Sequence, residues 1–74
     1  MLKVEITKRR CVYINFTEDT PPNRGGFYCQ VYDDPLMNYE IDGFTIHAYE
    51  LAGADDKKRN AYIIATSRAK SRLR

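Results

Sequence analysis

The feature that most constrains this chain is a change of period along its length. Apolar residues recur every second position at first, and every third or fourth position near the end. Leu2-Lys3-Val4-Glu5-Ile6-Thr7 alternates apolar with polar residues, the pattern of a strand with one face buried. Lys8-Arg9-Arg10 interrupts it, and Cys11-Val12-Tyr13-Ile14-Asn15-Phe16 resumes it, so the two runs read as a hairpin with a basic tip. Glu18 to Gly26 reads as a loop, because Pro21-Pro22 cannot donate to a ladder and Gly25-Gly26 punctuates the chain. Phe27 to Tyr32 is a third alternating run, and Asp33-Asp34-Pro35 turns the chain after it. Tyr39 to Asp42 and Phe44 to Tyr49 follow, either as one strand bent at Gly43 or as two short ones.

The period changes after Gly53-Ala54-Asp55-Asp56, where two carboxylates suit the positive end of a helix. Ala61, Ile64, Ala65, Ala69 and Leu73 then form one apolar stripe at helical spacing. These patterns predict an α+β fold: a small antiparallel sheet of three to five strands, covered on one face by a single C-terminal helix. The strands are expected at about 2–7, 11–16, 27–32 and 39–49, and the helix at about 54–72. Seventy-four residues allow one domain over 1–74 and no second core.

Alternation also assigns faces. Leu2, Val4, Ile6, Val12, Ile14, Phe16, Phe27, Cys29, Val31, Ile41, Phe44, Ile46 and Ala48 are expected to point inward. Tyr13, Tyr28, Tyr32, His47 and Tyr49 are then expected outward, among Glu5, Asn15, Gln30, Glu40, Asp42 and Thr45. One helix covers one side of a sheet, so the other side faces water or a partner. Tyrosine has high strand propensity, which is one source of such a cluster. It is also a favoured interface residue, with a large rigid ring and a hydroxyl that still bonds.

The net charge of +2 conceals a segregation of sign. Gly25 to Asp56 holds seven acids and no Lys or Arg: Asp33, Asp34, Glu40, Asp42, Glu50, Asp55 and Asp56. Lys57 to Arg74 holds seven bases and no acid: Lys57, Lys58, Arg59, Arg68, Lys70, Arg72 and Arg74. Such a chain either neutralises itself on folding or carries a dipolar field that steers charged partners.

Sites with catalytic or metal-binding spacing are not found. His47 is the sole histidine, and no CxxC, HxxxH, P-loop, GxSxG or HExxH motif occurs. A non-enzymatic protein with no cofactor and no metal is expected. Cys11 and Cys29 lie in strand-like runs, where free cysteine behaves as a small apolar residue; a disulfide between them stays open. Two thiols without a signal peptide fit a reducing cytoplasm. No apolar run approaches the ~18 residues of a membrane span, so no membrane role is expected.

The order Gly25-Gly26-Phe27-Tyr28-Cys29, a turn at Asp34-Pro35, a further strand and a helix carrying Asn60-Ala61-Tyr62 resembles two related DNA-binding modules. These are the arm-binding domain of phage integrases and the AP2 domain. The resemblance implies a sheet that enters the major groove with Arg and Lys on its strands. This segment instead carries carboxylates and no Lys or Arg, which phosphate would repel. In size, charge layout and lack of catalytic residues the chain is also similar to small phage-encoded inhibitors, anti-CRISPR proteins among them.

Two functions follow as expectations. In the first, an inhibitor or adaptor docks an acidic, Tyr-rich sheet face on a basic, nucleic-acid-handling protein, through Tyr13, Tyr28, Tyr32, Asp33, Asp34, Glu40, Asp42, His47 and Tyr49. In the second, Lys8, Arg9, Arg10, Arg68, Lys70, Arg72 and Arg74 bind nucleic acid directly. An exposed edge strand on so small a sheet also makes a homodimer a third possibility.

Overall fold

The computed structural model describes all 74 residues. Four strands, β1 (Leu2–Thr7), β2 (Arg10–Glu18), β3 (Phe27–Tyr32) and β4 (Glu40–Ile46), form one antiparallel sheet in the order β1-β2-β3-β4. A short 3-10 turn (Ala48–Leu51) leads to the single helix α1 (Lys57–Leu73). The predicted α+β architecture is therefore the one observed. Every neighbour in the sheet is a neighbour in sequence, so each strand pair closes through a local connection.

Pairing fixes which residues share a face. Val4 lies opposite Val12, Ile14 opposite Val31, Cys29 opposite Phe44, and Phe27 opposite Ile46. Val4, Val12, Ile14, Cys29, Val31, Phe44 and Ile46 are buried together with Ala61, Ala65 and Ala69 of α1. Three alanines one turn apart leave a shallow seam, which lets the helix backbone approach the sheet closely. Ile64 and Leu73 flank that seam, half-buried, as the helical stripe predicts. Phe16 packs against Tyr62 with ring centroids 4.7 Å apart and planes tilted by 31°, and closes the core near the start of α1.

The helix begins three residues later than expected. Asp56 is its N-cap: its carboxylate accepts from the Arg59 N–H at 3.0 Å. The acidic pair thus precedes the first turn and does not sit inside it. β2 runs longer than expected at both ends, from Arg10 to Glu18.

The faces expected for Ile41, Asp42, His47 and Tyr49 are corrected. β4 continues through Gly43 without a break, and the irregularity lies at Ile41 instead. Val31 pairs with Asp42 while Tyr32 pairs with Glu40, so Ile41 is an extra residue, a bulge, and is 40% exposed. One inserted residue reverses the parity of everything before it. Glu40 is therefore turned outward, while Asp42, after the bulge, keeps the parity of Phe44 and Ile46 and lies on the helix side, opposite Val31, and not among the outward tyrosines. The strand also ends at Ile46. His47 precedes the 3-10 turn, and Tyr49 and half-buried Ala48 lie within that turn. Leu51, absent from the expected core, is buried at its end.

Cys11 faces the uncovered side, opposite Glu5, and Cys29 faces the helix. Both thiols are free.

Candidate protein interface

The uncovered face is arranged in rows. Tyr13 lies opposite Tyr32, which lies opposite Glu40; Asn15 faces Gln30, which faces Gly43; Thr17 faces Tyr28, which faces Thr45. The Asn15 amide donates to the Gln30 carbonyl at 3.4 Å, a weak cross-strand bond that ties the middle row. Tyr28 lies across the gap left by Gly43: a Cβ built there would fall 2.4 Å from its hydroxyl oxygen. A ring covering a strand glycine restores packing that the glycine forgoes. Tyr13, Tyr28 and Tyr32 thus share one face, as expected, with Tyr28 39% exposed and the other two half-buried.

His47 and Tyr49 do not join them. They stand beyond the far end of β4, stacked on each other at 5.3 Å with planes 9° apart. His47 is exposed, and Tyr49 is 75% exposed.

Most of the acidic charge is committed elsewhere. Asp42 accepts two bonds from the Arg72 guanidinium, at 2.6 and 2.8 Å. Glu50 accepts from Arg68 at 2.5 Å and from the His47 N–H at 2.8 Å. The Arg72 bonds hold the Asp42 carboxyl below its ordinary range, and the Arg68 bond does the same for Glu50. Asp34 accepts from the Asn38 and Tyr39 N–H groups at 2.9 and 3.0 Å, and Asp56 caps α1. The open face is consequently polar and nearly neutral, with Lys3, Glu5 and Glu40 as its charges. Its expected acidity is confined to the Tyr32 end, where Asp33 and Glu40 form no ion pair.

The same end carries residues that the sequence pattern alone did not single out. The β3–β4 connection puts Leu36 at 79% and Tyr39 at 70% exposure, next to bulged Ile41. This loop is well tied despite its exposure. Besides the two bonds to Asp34, the Asp33 N–H donates to the Tyr39 carbonyl at 3.0 Å, and the Met37 N–H to the Asp34 carbonyl at 3.1 Å. Met37 adopts φ 57°, a left-handed conformation costing a non-glycine residue about 1 kcal/mol or more. The sequence signal was present: a polar turn has no use for Leu, Met and Tyr among Asp, Pro and Asn.

The basic residues separate into two sets. Arg68 and Arg72 point back across the edge of β4, with guanidinium carbons 5.8 and 5.9 Å from the Phe44 ring centre. Arg68 also donates to the Thr45 carbonyl at 2.9 Å. They cover the core edge and neutralise Asp42 and Glu50, which explains part of the charge segregation as internal pairing. Lys8, Arg9, Arg10, Lys70 and Arg74 form no ion pair. The Arg10 guanidinium reaches the Leu73 carbonyl at 3.4 Å, so hairpin tip and helix end meet at one basic pole.

No group of three or more His, Cys, Asp or Glu is arranged to hold a metal, and no helix is long and apolar enough to cross a membrane. The largest cleft lies between the β2–β3 loop and the start of α1, lined by Phe16, Arg24, Phe27, Lys57 and Lys58 among others. Comparison with protein families, curated proteins and solved structures returns no match for this chain.

Proposed function

We propose that this chain is a non-catalytic binding protein, an inhibitor or adaptor that docks on a basic surface of another protein. One observation carries the reading. At the β3–β4 corner, Leu36 and Tyr39 stand in solvent on a loop already fixed by its own hydrogen bonds, between the unpaired carboxylates of Asp33 and Glu40. An isolated domain gains nothing from holding two large apolar side chains outward on a strained loop. A partner gains anchors that need no further ordering. Tyr32 and Tyr13 continue the surface onto the sheet, and the carboxylates favour Lys and Arg on the opposing side. A basic channel that otherwise holds phosphates is the kind of surface that fits, as with the small phage-encoded inhibitors this chain is similar to in character. Asp42 takes no part in this version of the site, and His47 and Tyr49 lie away from it.

Affinity capture from lysate tests it, with wild type, Leu36→Ala/Tyr39→Ala and Arg9→Gln/Arg74→Gln as parallel baits. The expected result is one basic protein held by wild type and by the Arg variant, lost from the loop variant, and displaced by added nucleic acid. Each loop anchor should contribute about 2 kcal/mol to binding. Capture that is the same with all three baits would overturn the reading.

A second reading has its own observation, the meeting of Lys8, Arg9 and Arg10 with Lys70 and Arg74 at one pole. Direct nucleic-acid binding there would weaken with salt and with Lys8, Arg9, Lys70 and Arg74 changed to Gln. Arg68 and Arg72 belong to the fold in this reading, and changing them would confuse stability with binding.

A further inference from the structure

The two edges of the sheet are treated differently. β4, at one edge, is guarded: Arg68 donates to its Thr45 carbonyl, and Arg72 clasps its Asp42. β1, at the other edge, carries α1 over its buried face and a bulge at Ile6, but no side chain is laid across its backbone. Beyond its ladder with β2, no hydrogen bond reaches the β1 backbone; the nearest is the Arg9 N–H to the Thr7 hydroxyl. An open edge presents unpaired N–H and C=O groups to any chain that fits.

The sequence of β1 fits itself. Residues directly opposite in an antiparallel pair share a face, so only registers that keep parity preserve the buried side. Leu2 to Glu5 is the regular part of β1, before a bulge at Ile6, and its parity-keeping registers centre on Lys3, Val4 or Glu5. Centring on Lys3 sets Lys3 against Lys3 of a second copy, and centring on Glu5 sets Glu5 against Glu5. Centring on Val4 sets Lys3 against Glu5 twice over and Val4 against Val4, all within the stretch that pairs regularly before the bulge at Ile6. Like charges directly opposite are unfavourable and opposite charges favourable, so one register stands out. Lys3 and Glu5 are exposed on the open face, while Leu2 and Ile6 are only half-buried at the edge of the core. A second copy would complete their burial. A lone edge Lys repels other copies, but Glu5, two residues further on the same face, removes that repulsion in this register alone.

We propose that β1 pairs antiparallel with β1 of a second copy about Val4, forming a continuous eight-stranded sheet. The dimer sets both helices on one side and both Tyr13-Tyr28-Tyr32 faces on the other. Two docking corners at opposite ends of the sheet would then act as a bivalent unit. The pairing does not depend on what those corners bind.

The test is sedimentation equilibrium over a concentration series, on wild type, Lys3→Glu, Glu5→Lys and an equimolar mixture of the two variants. Lys3→Glu alone faces Glu5 of its copy, and Glu5→Lys alone faces Lys3, so each should weaken self-association at least about tenfold. The mixture should dimerise again, because one chain then supplies two acids and the other two bases. The double variant Lys3→Glu/Glu5→Lys should recover as well, with the pairs exchanged. Both side chains point to solvent, so at concentrations low enough for every form to be monomeric, thermal melts should match wild type. Wild type monomeric up to ~1 mM overturns the proposal, since such weak association lies beyond a specific contact. So do single variants that associate as tightly as wild type, because that places any dimer on another surface.

Discussion

The two faces of this sheet are built from the same strands and obey different rules. The helix-covered face is filled by Val4, Val12, Ile14, Cys29, Val31 and Ile46 against a seam of alanines, and it contains no buried polar side chain. The open face carries Tyr13, Tyr28 and Tyr32 among Asn, Gln and Thr, with few charges. Substitutions on the first should change whether the chain folds. Substitutions on the second should change what the folded chain presents. The pairs below separate those outcomes.

The largest effect is expected at the helix seam. Ala65 is fully buried and Ile63, two residues away, is 58% exposed. Ala65→Asp would bury an unpaired carboxylate against the sheet, at a cost of about 3 kcal/mol or more, a large share of what so small a domain has. Ile63→Asp should change stability by no more than about 0.5 kcal/mol, as an exposed substitution. Thermal melts of the two variants decide it. Similar melts would mean that the helix does not pack through its alanine seam.

The cysteines report the same contrast without mutation. Burial pushes the Cys29 thiol up to about 12, so it stays protonated as well as inaccessible. Cys11 is half-buried on the open face. In the native protein at pH 8, one thiol should react with an aromatic disulfide reagent, and mass mapping should place it at Cys11. Cys29 should be slower by about a hundredfold or more, reacting only on opening. Equal rates would show that the covered face is open to solvent.

These contrasts also show what the sequence made legible. Period two and the Ala-rich stripe predicted the sheet, the helix and most of the core, because each depends on spacing along one segment. The bulge at Ile41 was hidden, because it exists only in the pairing of β4 with β3. The error at Asp42 followed directly from it. Arg68 and Arg72 read as free cations because their partners, Glu50 and Asp42, are 18 and 30 residues away. Leu36 and Tyr39 escaped notice for other reasons. The turn residues around Leu36 marked a loop, where apolar residues leave no periodic signature, and Tyr39 read as the first residue of a strand that in fact starts at Glu40.

The two ion pairs give the contrast a pH dependence. Asp42 and Glu50 have carboxyl pKa values lowered in the fold by Arg72 and Arg68. A depressed native pKa adds stability that is fully present above the ordinary values, 3.8 for Asp42 and 4.5 for Glu50. That stability is lost as pH falls through the lower native values. Wild type should therefore lose more Tm between pH 6 and pH 2.5 than Asp42→Asn/Glu50→Gln does. Both pairs are partly solvated, so the difference should be modest. Parallel pH profiles would mean that these arginines do not hold the β4 edge in solution.

The smallest and most selective effect is expected at Gly43, where the open face can be altered while the core is left alone. A Cβ there meets the Tyr28 hydroxyl at 2.4 Å and its Cζ at 3.1 Å, and the nearest backbone atom, the Cys29 carbonyl oxygen, lies at 3.6 Å. Only the far end of one side chain must yield, and it can swing toward solvent. Replacing glycine within a strand also recovers about 0.5–1 kcal/mol of backbone entropy, which offsets the weaker packing of the displaced ring. Gly43→Ala should thus melt within about 0.5 kcal/mol of wild type. The displaced ring of Tyr28 should show shifted aromatic NMR signals and readier nitration, while Tyr13 and Tyr32 stay as they were. A partner that uses only the β3–β4 corner should bind Gly43→Ala as it binds wild type. One that spans the sheet should lose affinity in step with Tyr28→Ala. Unchanged Tyr28 signals would show that the ring does not rest on Gly43. A destabilisation of more than about 2 kcal/mol would show that the glycine serves the backbone of β4 and not the ring above it.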